Sequence, residues 1–219
     1  SSTYIICGAV SNTSDKQIPE NYGVKSGWGM FRVRGEIPAL FSGTDDKRYM
    51  FFTDGQTQYL DVIDNQSNGY FVEKWTNLTD AGATASNTAD GGVNTDYPLF
   101  RLADVYLMMA EAVVRGGTGS DRGTVLGYIN ELQRRAYGDD EHKIADSDLT
   151  LDFLLKERAR ELYWEGHRRT DLIRYGMFTT DKYLWQWKGG EKGGTAVNSK
   201  YNIYPIPNTE LTANPNLYN

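Results

Sequence analysis

The chain has 219 residues, a length that suits one domain or a large part of one. Its formal net charge is −6, from 23 basic and 29 acidic side chains. The acidic balance and the lack of a long Lys/Arg-rich stretch argue against nucleic acids and anionic membrane surfaces as partners. No apolar run reaches the ~20 residues that a membrane-spanning helix requires. The single cysteine, Cys7, permits no internal disulfide and no multi-cysteine metal cluster.

The first part of the chain, residues 1–95, is predicted to be irregular, with short strands joined by loops. Residues 4–10 are apolar and rich in β-forming side chains, which predicts a short strand there. The same composition recurs at residues 49–52, 59–63 and 70–75, between stretches that favour turns.

The second part, residues 96–219, is predicted to be helical and to end in an extended tail. A low-complexity run of small and polar residues, 81–94, predicts a flexible surface loop before it. Helical periodicity predicts one helix over 97–115 and a second over 121–136. Because a short Gly-rich turn joins them, we expect an antiparallel hairpin that resembles one tetratricopeptide (TPR) hairpin, although no second copy follows at the ~34-residue spacing of TPR arrays.

A further, central helix is predicted to begin at Thr150, which suits an N-cap, and to end at Gly166. Arg158 falls within its apolar stripe, and Glu161 and Glu165 fall at the edge of that stripe. An arginine in such a position needs carboxylate partners, because an unpaired buried charge costs several kcal/mol. We therefore interpret Arg158, Glu161 and Glu165 as a buried structural ion network rather than as catalytic groups.

Enzyme chemistry finds little support in the sequence. The central helix carries Glu157, Glu161 and Glu165 one turn apart. Glycoside hydrolases use paired carboxyl groups, so hydrolase activity remains an alternative function. The arginines around these glutamates would lower their pKa, which does not suit a general acid. The chain has no phosphate-binding loop, dinucleotide fingerprint, nucleophile elbow or metal-ligand spacing, so we predict no catalytic residue, no metal site and no cofactor.

Aromatic side chains make up 13% of the chain, and flat aromatic faces suit the C–H faces of sugar rings. Most aromatic residues pack in cores, so the better candidates for ligand contact lie in polar or Gly-rich loops. Trp28, between two glycines, is the first candidate. The predicted ligand-binding set, with its polar partners, is Trp28, Arg32, Asp54, Tyr59, Trp185 and Trp187.

Three separated motifs resemble the C-terminal part of the SusD/RagB family, and they occur in the family's order. They are YPLFRLADVYLMMAEA at residues 97–112, ERARELYWEGHRRTDLIRYG at 157–176 and YPIPNTELTANPNL at 204–217. The resemblance implies a mainly α-helical, SusD-like fold with few short strands, in which a TPR-like helical hairpin joins an irregular, loop-rich region. It also implies that residues 1–219 form the C-terminal domain of a longer protein.

The resemblance implies non-catalytic capture of an oligosaccharide or polysaccharide at the bacterial cell surface. The glycan would then pass to a TonB-dependent (SusC-like) transporter in the outer membrane. The family offers no catalytic residues to transfer, and membrane contact is expected only through an N-terminal lipid anchor outside this chain. One alternative is a TPR-type protein-interaction scaffold whose aromatic residues are core. A less favoured alternative is a glycoside hydrolase that uses glutamates of the central helix.

Overall fold

The computed structural model describes residues 2–86 and 92–217, so residues 87–91 of the predicted loop lie outside the described part of the chain. The fold is mainly helical with little strand, as predicted. The helices are α1 (Ser2–Ala9), α2 (Leu102–Val114), α3 (Arg122–Tyr137), α4 (Leu151–Leu162), α5 (Arg168–Arg174) and α6 (Asn208–Ala213). The strands are β1 (Phe51–Phe52) and β2 (Phe71–Val72).

The chain divides into two compact units, Ser1–Arg168 and Arg169–Asn219. The first unit holds α1 to α4 and the β1–β2 hairpin. The second unit consists largely of turns and short helical segments, including α6 in the tail. The predicted change from an irregular part to a helical part near residue 95 remains a prediction about domain organisation.

Residues 4–9 of the predicted strand 4–10 belong to helix α1, so that prediction is wrong. The loop that follows α1 completes the end of this helix, because the N–H groups of Trp28 and Phe31 donate to the carbonyls of Cys7 and Gly8, each at 2.8 Å. Carbonyls at a helix end need such partners. A side chain at Gly8 would overlap the ring of Phe31. The close approach of this loop therefore selects the helix over local strand propensity.

The strand pair is short, and β1 and β2 run antiparallel over two residues each, within the predicted ranges 49–52 and 70–75. No strand forms at 59–63, so that prediction is wrong. There the N–H of Val62 donates to the side chain of Asn68 at 2.9 Å, and the N–H of Asn65 donates to the carbonyl of Val62. Side chains that bond to the local backbone compete in this way with strand pairing.

A hairpin of α2 and α3 packs with α4 around one apolar core in the first unit. At the start of α3, Asp121 accepts a hydrogen bond from the N–H of Thr124, and α3 ends at Gly138 with φ 92°. The likeness of the hairpin to a TPR unit remains a prediction. The fully buried members of this core are Leu107, Ala110, Val125, Ile129 and Leu154.

Two predicted helix boundaries are wrong for a shared reason. The first helix was predicted over 97–115, but α2 begins at Leu102 after an extended Arg101 with φ −147°. The central helix, α4, begins after Thr150 as predicted but ends at Leu162 rather than at Gly166. Both shifts occur where Arg101 joins the two helices, because its side chain bonds to Glu161 and Glu165. Local sequence signals do not reveal these contacts.

Candidate functional site

A buried ion network joins the end of α4 to three other parts of the first unit. Glu161 and Glu165 share Arg101, whose Nη1 lies 2.6 Å from Glu161 Oε1 and whose Nε lies 2.6 Å from Glu165 Oε2. Arg135 of α3 and Arg48 also bind Glu161, at 2.5 and 3.2 Å. Each buried carboxylate therefore faces more than one cation, which offsets the cost of removing it from water.

Glu161 is fixed in its charged form by these neighbours. Burial alone would raise the pKa of its carboxyl, but the guanidinium groups of Arg135 and Arg101 outweigh burial and lower that pKa to about 2. A general acid must hold a proton near neutral pH, so this geometry opposes such a role for Glu161. The network suits a structural function.

Arg158, the third member of the predicted network, is buried and pairs with Asp104 of α2 at 2.8 Å. The structure thus brings Glu161 and Glu165 together on Arg101, whereas Arg158 makes its ion pair with a different helix. Sequence reasoning did not identify Asp104 and Arg101 as partners, because nothing in their spacing places them against α4. Arg48, Lys74 and Arg135 were missed in the same way.

Hydrogen bonds to backbone carbonyls hold the turn after α4, in addition to the ion pairs of the network. Lys74 Nζ donates to the carbonyls of Glu161 and Tyr163 at 2.8 and 2.9 Å, and Arg101 Nη2 donates to the carbonyl of Glu161 at 2.7 Å. Lys74 also pairs with the carboxylate of Glu165. Trp164, within this turn, has φ 60°, a left-handed conformation that costs a bulky residue about 1–2 kcal/mol. The surrounding contacts offset this strain.

A first cleft, here called the Trp164 cleft, opens beside this turn and has a volume of about 530 Å³. Trp164 meets Phe31 edge to face, with ring centroids 6.1 Å apart. Arg32, a predicted ligand contact, lines the cleft, but its Nη1 and Nη2 already donate to the carbonyls of Asn65 and Ile63 at 2.6 Å. The walls include Phe31, Arg32, Arg34, Leu60, Ile63 and Trp164.

A second cleft, here called the Trp185 cleft, lies in the second unit and has a volume of about 660 Å³. Trp185, another predicted contact, packs against Phe178 with ring centroids 5.8 Å apart. On another wall, the guanidinium of Arg169 lies 3.8 Å from the ring centroid of Tyr204. Tyr204 is 72% exposed, so one aromatic face remains accessible to a ligand. The walls include Arg169, Phe178, Trp185, Asn198, Tyr201 and Tyr204.

The loop that carries Trp185 is organised around Lys188, which is almost fully buried. Its Nζ donates to the carbonyls of Thr180 and Tyr183, at 2.5 and 2.8 Å, and lies 4.6 Å from the centroid of the Trp185 ring. Burial lowers the pKa of this ammonium group. Trp187, a predicted contact, has φ 66° and turns the chain next to Lys188. The cation therefore fixes the loop rather than facing solvent.

Four predicted ligand contacts, Trp187 and the three described next, are not among the residues that line the two clefts. Trp28 is half-buried and meets Tyr4 edge to face, at 5.2 Å between centroids, so this indole is folded back onto α1. Asp54 forms an exposed ion pair with Lys16 at 2.6 Å. Tyr59 is partly exposed, and its ring lies directly over Gly35. Contact of these residues with a ligand remains a prediction.

In the described ranges, 2–86 and 92–217, no group of three or more His, Cys, Asp or Glu side chains is arranged to hold a metal ion. Every helix in those ranges is too short or too polar to cross a lipid bilayer. The linings of the two clefts provide aromatic faces and hydrogen-bonding groups.

Sequence comparison identifies relatives of the chain. The sequence profile of the SusD family matches residues 46–219. The starch-binding protein SusD of Bacteroides thetaiotaomicron is 42% identical over 189 residues, which is 86% of this chain and 31% of that protein. A SusD-like protein of Formosa agariphila is 30% identical over 163 residues, 71% of this chain and 29% of that protein. The chain thus spans about a third of the length of these curated relatives.

Solved structures support the fold. Surface glycan-binding protein A from Bacteroides fluxus superposes with a TM-score of 0.62 over 89% of this chain and 40% of its own, at 22% identity. A SusD superfamily protein from Bacteroides vulgatus gives a TM-score of 0.59 over 94% of this chain and 43% of its own, also at 22% identity. At this level of identity the likeness concerns the fold alone.

Proposed function

The chain belongs to the SusD family, and from that premise we propose that it takes part in non-catalytic binding of a glycan, with the Trp185 cleft as a sugar-binding site. The relative with 42% identity is a starch-binding protein, which favours an α-glucan as the first ligand to test. The proposal needs a site in this chain that suits a sugar ring and its hydroxyl groups.

The observation that carries the proposal is the combination of aromatic faces with free hydrogen-bonding groups in the Trp185 cleft. Within the described part of the chain, the indole N–H of Trp185 and the hydroxyls of Tyr201 and Tyr204 have no hydrogen-bond partner. Asn198 accepts one bond through Oδ1, from the N–H of Lys200, and its amide N–H₂ group is available. Sugar sites combine apolar stacking with a few such polar groups, and the volume of about 660 Å³ lies within the ~300–1,000 Å³ of ligand pockets.

Affinity electrophoresis on gels that contain starch, xylan, mannan or β-glucan tests the proposal with the 219-residue chain and with the full-length protein. Trp185→Ala removes the aromatic wall and is expected to lower the affinity for the bound polysaccharide about tenfold or more. Phe100→Ala is the matched control, because Phe100 is 88% exposed and lies outside both clefts. Unchanged mobility of all proteins on every polysaccharide would contradict glycan binding.

The wider role in the proposal is delivery of the glycan to a SusC-like, TonB-dependent transporter from the outer surface of the outer membrane. A lipid anchor outside this chain would provide the membrane contact. The family membership supports this role. Co-purification of the full-length protein with such a transporter from outer-membrane fractions is the expected result. Recovery of the protein from the periplasmic fraction alone would contradict it.

One observation favours the alternative of a protein-interaction scaffold. The outward side of α2 and the segment before it expose large apolar side chains, which on a protein surface often mark contact sites. These side chains are Leu99, Phe100, Leu102, Val105 and Met108. If the chain is a scaffold, glycan affinity is absent and substitution of Leu102 by Asp abolishes a protein complex. If the chain binds glycans, that substitution leaves glycan affinity unchanged.

A further inference from the structure

We infer that the Trp164 cleft is a second sugar-binding site, which stacks a neutral pyranose ring on the indole of Trp164 and bonds its hydroxyl groups through Arg34. The inference rests on the proposed function, because it assumes that the protein binds a glycan. It adds a site in a different unit of the chain from the Trp185 cleft. Two sites on one chain would hold a polysaccharide more tightly than either site alone.

The first observation is that Trp164 has a strained, left-handed backbone conformation. The residue combines a large side chain with a left-handed backbone, and glycine would adopt this conformation without strain. Lys74 and Arg101 hold the carbonyls of Glu161 and Tyr163 beside it, so the buried network keeps the turn in this conformation. Strain that is enforced by surrounding structure is frequent at ligand sites. Here it presents a half-buried indole at the wall of a cleft.

The second observation is that Arg34 is an uncommitted donor. Its guanidinium is half-buried at the cleft, where it makes no hydrogen bond or ion pair with any residue in 2–86 or 92–217. The neighbouring Arg32, in contrast, uses two of its nitrogens on the carbonyls of Ile63 and Asn65. A guanidinium presents several N–H donors in one plane, which suits the adjacent hydroxyl oxygens of a pyranose.

The charge around Arg34 favours a neutral sugar over an anionic one. Glu36 acts electrostatically on Arg34 and offsets part of its positive charge, which reduces what a sugar carboxylate would gain there. The remaining walls, including Phe31 and Leu60, are apolar except for Arg32, whose guanidinium already donates to two backbone carbonyls. With a volume of about 530 Å³, the cleft has room for a short stretch of a neutral glycan.

The test is calorimetric titration of the 219-residue chain with neutral hexasaccharides from maltose, cellulose, xylan and mannan series, and with hexagalacturonic acid. We expect two binding sites for one neutral oligosaccharide in the wild-type chain. Trp164→Gly should leave one site, because it removes the indole while glycine keeps the left-handed backbone. Arg34→Gln, at a half-exposed position, should weaken one of the two sites about tenfold. Phe100→Ala serves as the control and should retain both sites.

The outcomes separate this inference from the proposed function. If Trp185→Ala abolishes all binding while Trp164→Gly and Arg34→Gln leave stoichiometry and affinity unchanged, the inference is overturned and the proposed function stands. No binding to any oligosaccharide by the wild-type chain overturns both. Preferential binding of hexagalacturonic acid at the site that needs Arg34 overturns the neutral-sugar assignment. If circular dichroism shows that Trp164→Gly is unfolded, Arg34→Gln decides.

Discussion

Arg101 shows how one residue governs the stability of the network and the position of the turn. It bonds two carboxylates and a backbone carbonyl at the end of α4, and it stands just before α2. Replacement of Arg101 by Met leaves Glu161 and Glu165 with fewer cations in a buried site. We expect the free energy of unfolding, measured in urea, to fall by about 3 kcal/mol. This value is at the lower end of the losses from broken buried ion pairs, because other cations still face the two carboxylates.

An exposed ion pair on α4 gives the matched control. Lys156 lies 2.7 Å from Asp152 one turn earlier, and both side chains are mostly in solvent. Lys156→Ala should therefore change the free energy of unfolding by no more than about 0.5 kcal/mol. Equal losses for Arg101→Met and Lys156→Ala would contradict the assignment of the buried network as the dominant electrostatic contribution.

Glu161 makes the stability of the fold depend on pH in acid solution. Its carboxyl pKa falls from an ordinary 4.5 to about 2 in the folded chain, so the unfolded chain binds a proton more readily than the folded chain. This contribution, up to about 3 kcal/mol, is complete above pH 4.5 and is lost as the pH falls towards 2.

Unfolding curves in urea at several acid pH values measure this dependence. The wild-type free energy of unfolding should decline through that window, and Glu161→Gln should decline less steeply from a lower starting value. Glu141→Gln, at an exposed position, is the control and should follow the wild-type curve. A wild-type curve that matches that of Glu161→Gln in slope would refute the role of this carboxylate.

At the scale of elements, the loop that carries Trp185 requires glycine at position 194. Gly194 has φ 78°, and a side chain there would place its Cβ 2.5 Å from the carbonyl oxygen of Trp185. Gly194→Ala should therefore lower the free energy of unfolding by about 1–2 kcal/mol and displace the indole. The adjacent Gly193 faces open space, so Gly193→Ala should be nearly neutral. Urea unfolding measures both, and similar values for the two variants would contradict this account of the loop.

Elements with local signals were predictable from the sequence, and elements set by distant contacts were not. Thr150 caps α4 and Gly138 ends α3, as expected from residue types that suit those positions. The N-terminal helix was missed, because Cys7 and Gly8 accept hydrogen bonds from a loop some twenty residues later in the chain. The start of α2 was misplaced, because Arg101 is held by α4.

At the scale of the whole molecule, contacts between distant residues also limited the prediction of the candidate sites. Trp185 was selected from its Gly-rich loop, and it lines a cleft together with other aromatic residues. Trp28 was selected by the same argument, but it is half-buried against α1. Trp164 was not selected, because it fell within the central helix predicted to end at Gly166, whereas α4 ends at Leu162, before it. Composition indicates candidate residues, but contacts between residues distant in the sequence determine which of them reach a cleft.

The proposed function assigns glycan binding to the clefts and a structural role to the carboxylates of the central helix. The Trp185 cleft offers aromatic faces and free donors, and the carboxylates nearest to an enzyme-like arrangement are committed to a buried ion network. Membership of the SusD family supports glycan binding as the proposed function.

The most direct test is a crystal structure of the chain in complex with the oligosaccharide for which it has the highest affinity. The account predicts a pyranose ring stacked on the indole of Trp185, with its hydroxyls bonded to Asn198 or to the tyrosines of that cleft. Oligosaccharide bound only at sites that exclude Trp185, or no oligosaccharide in crystals grown at saturating concentrations, would contradict it.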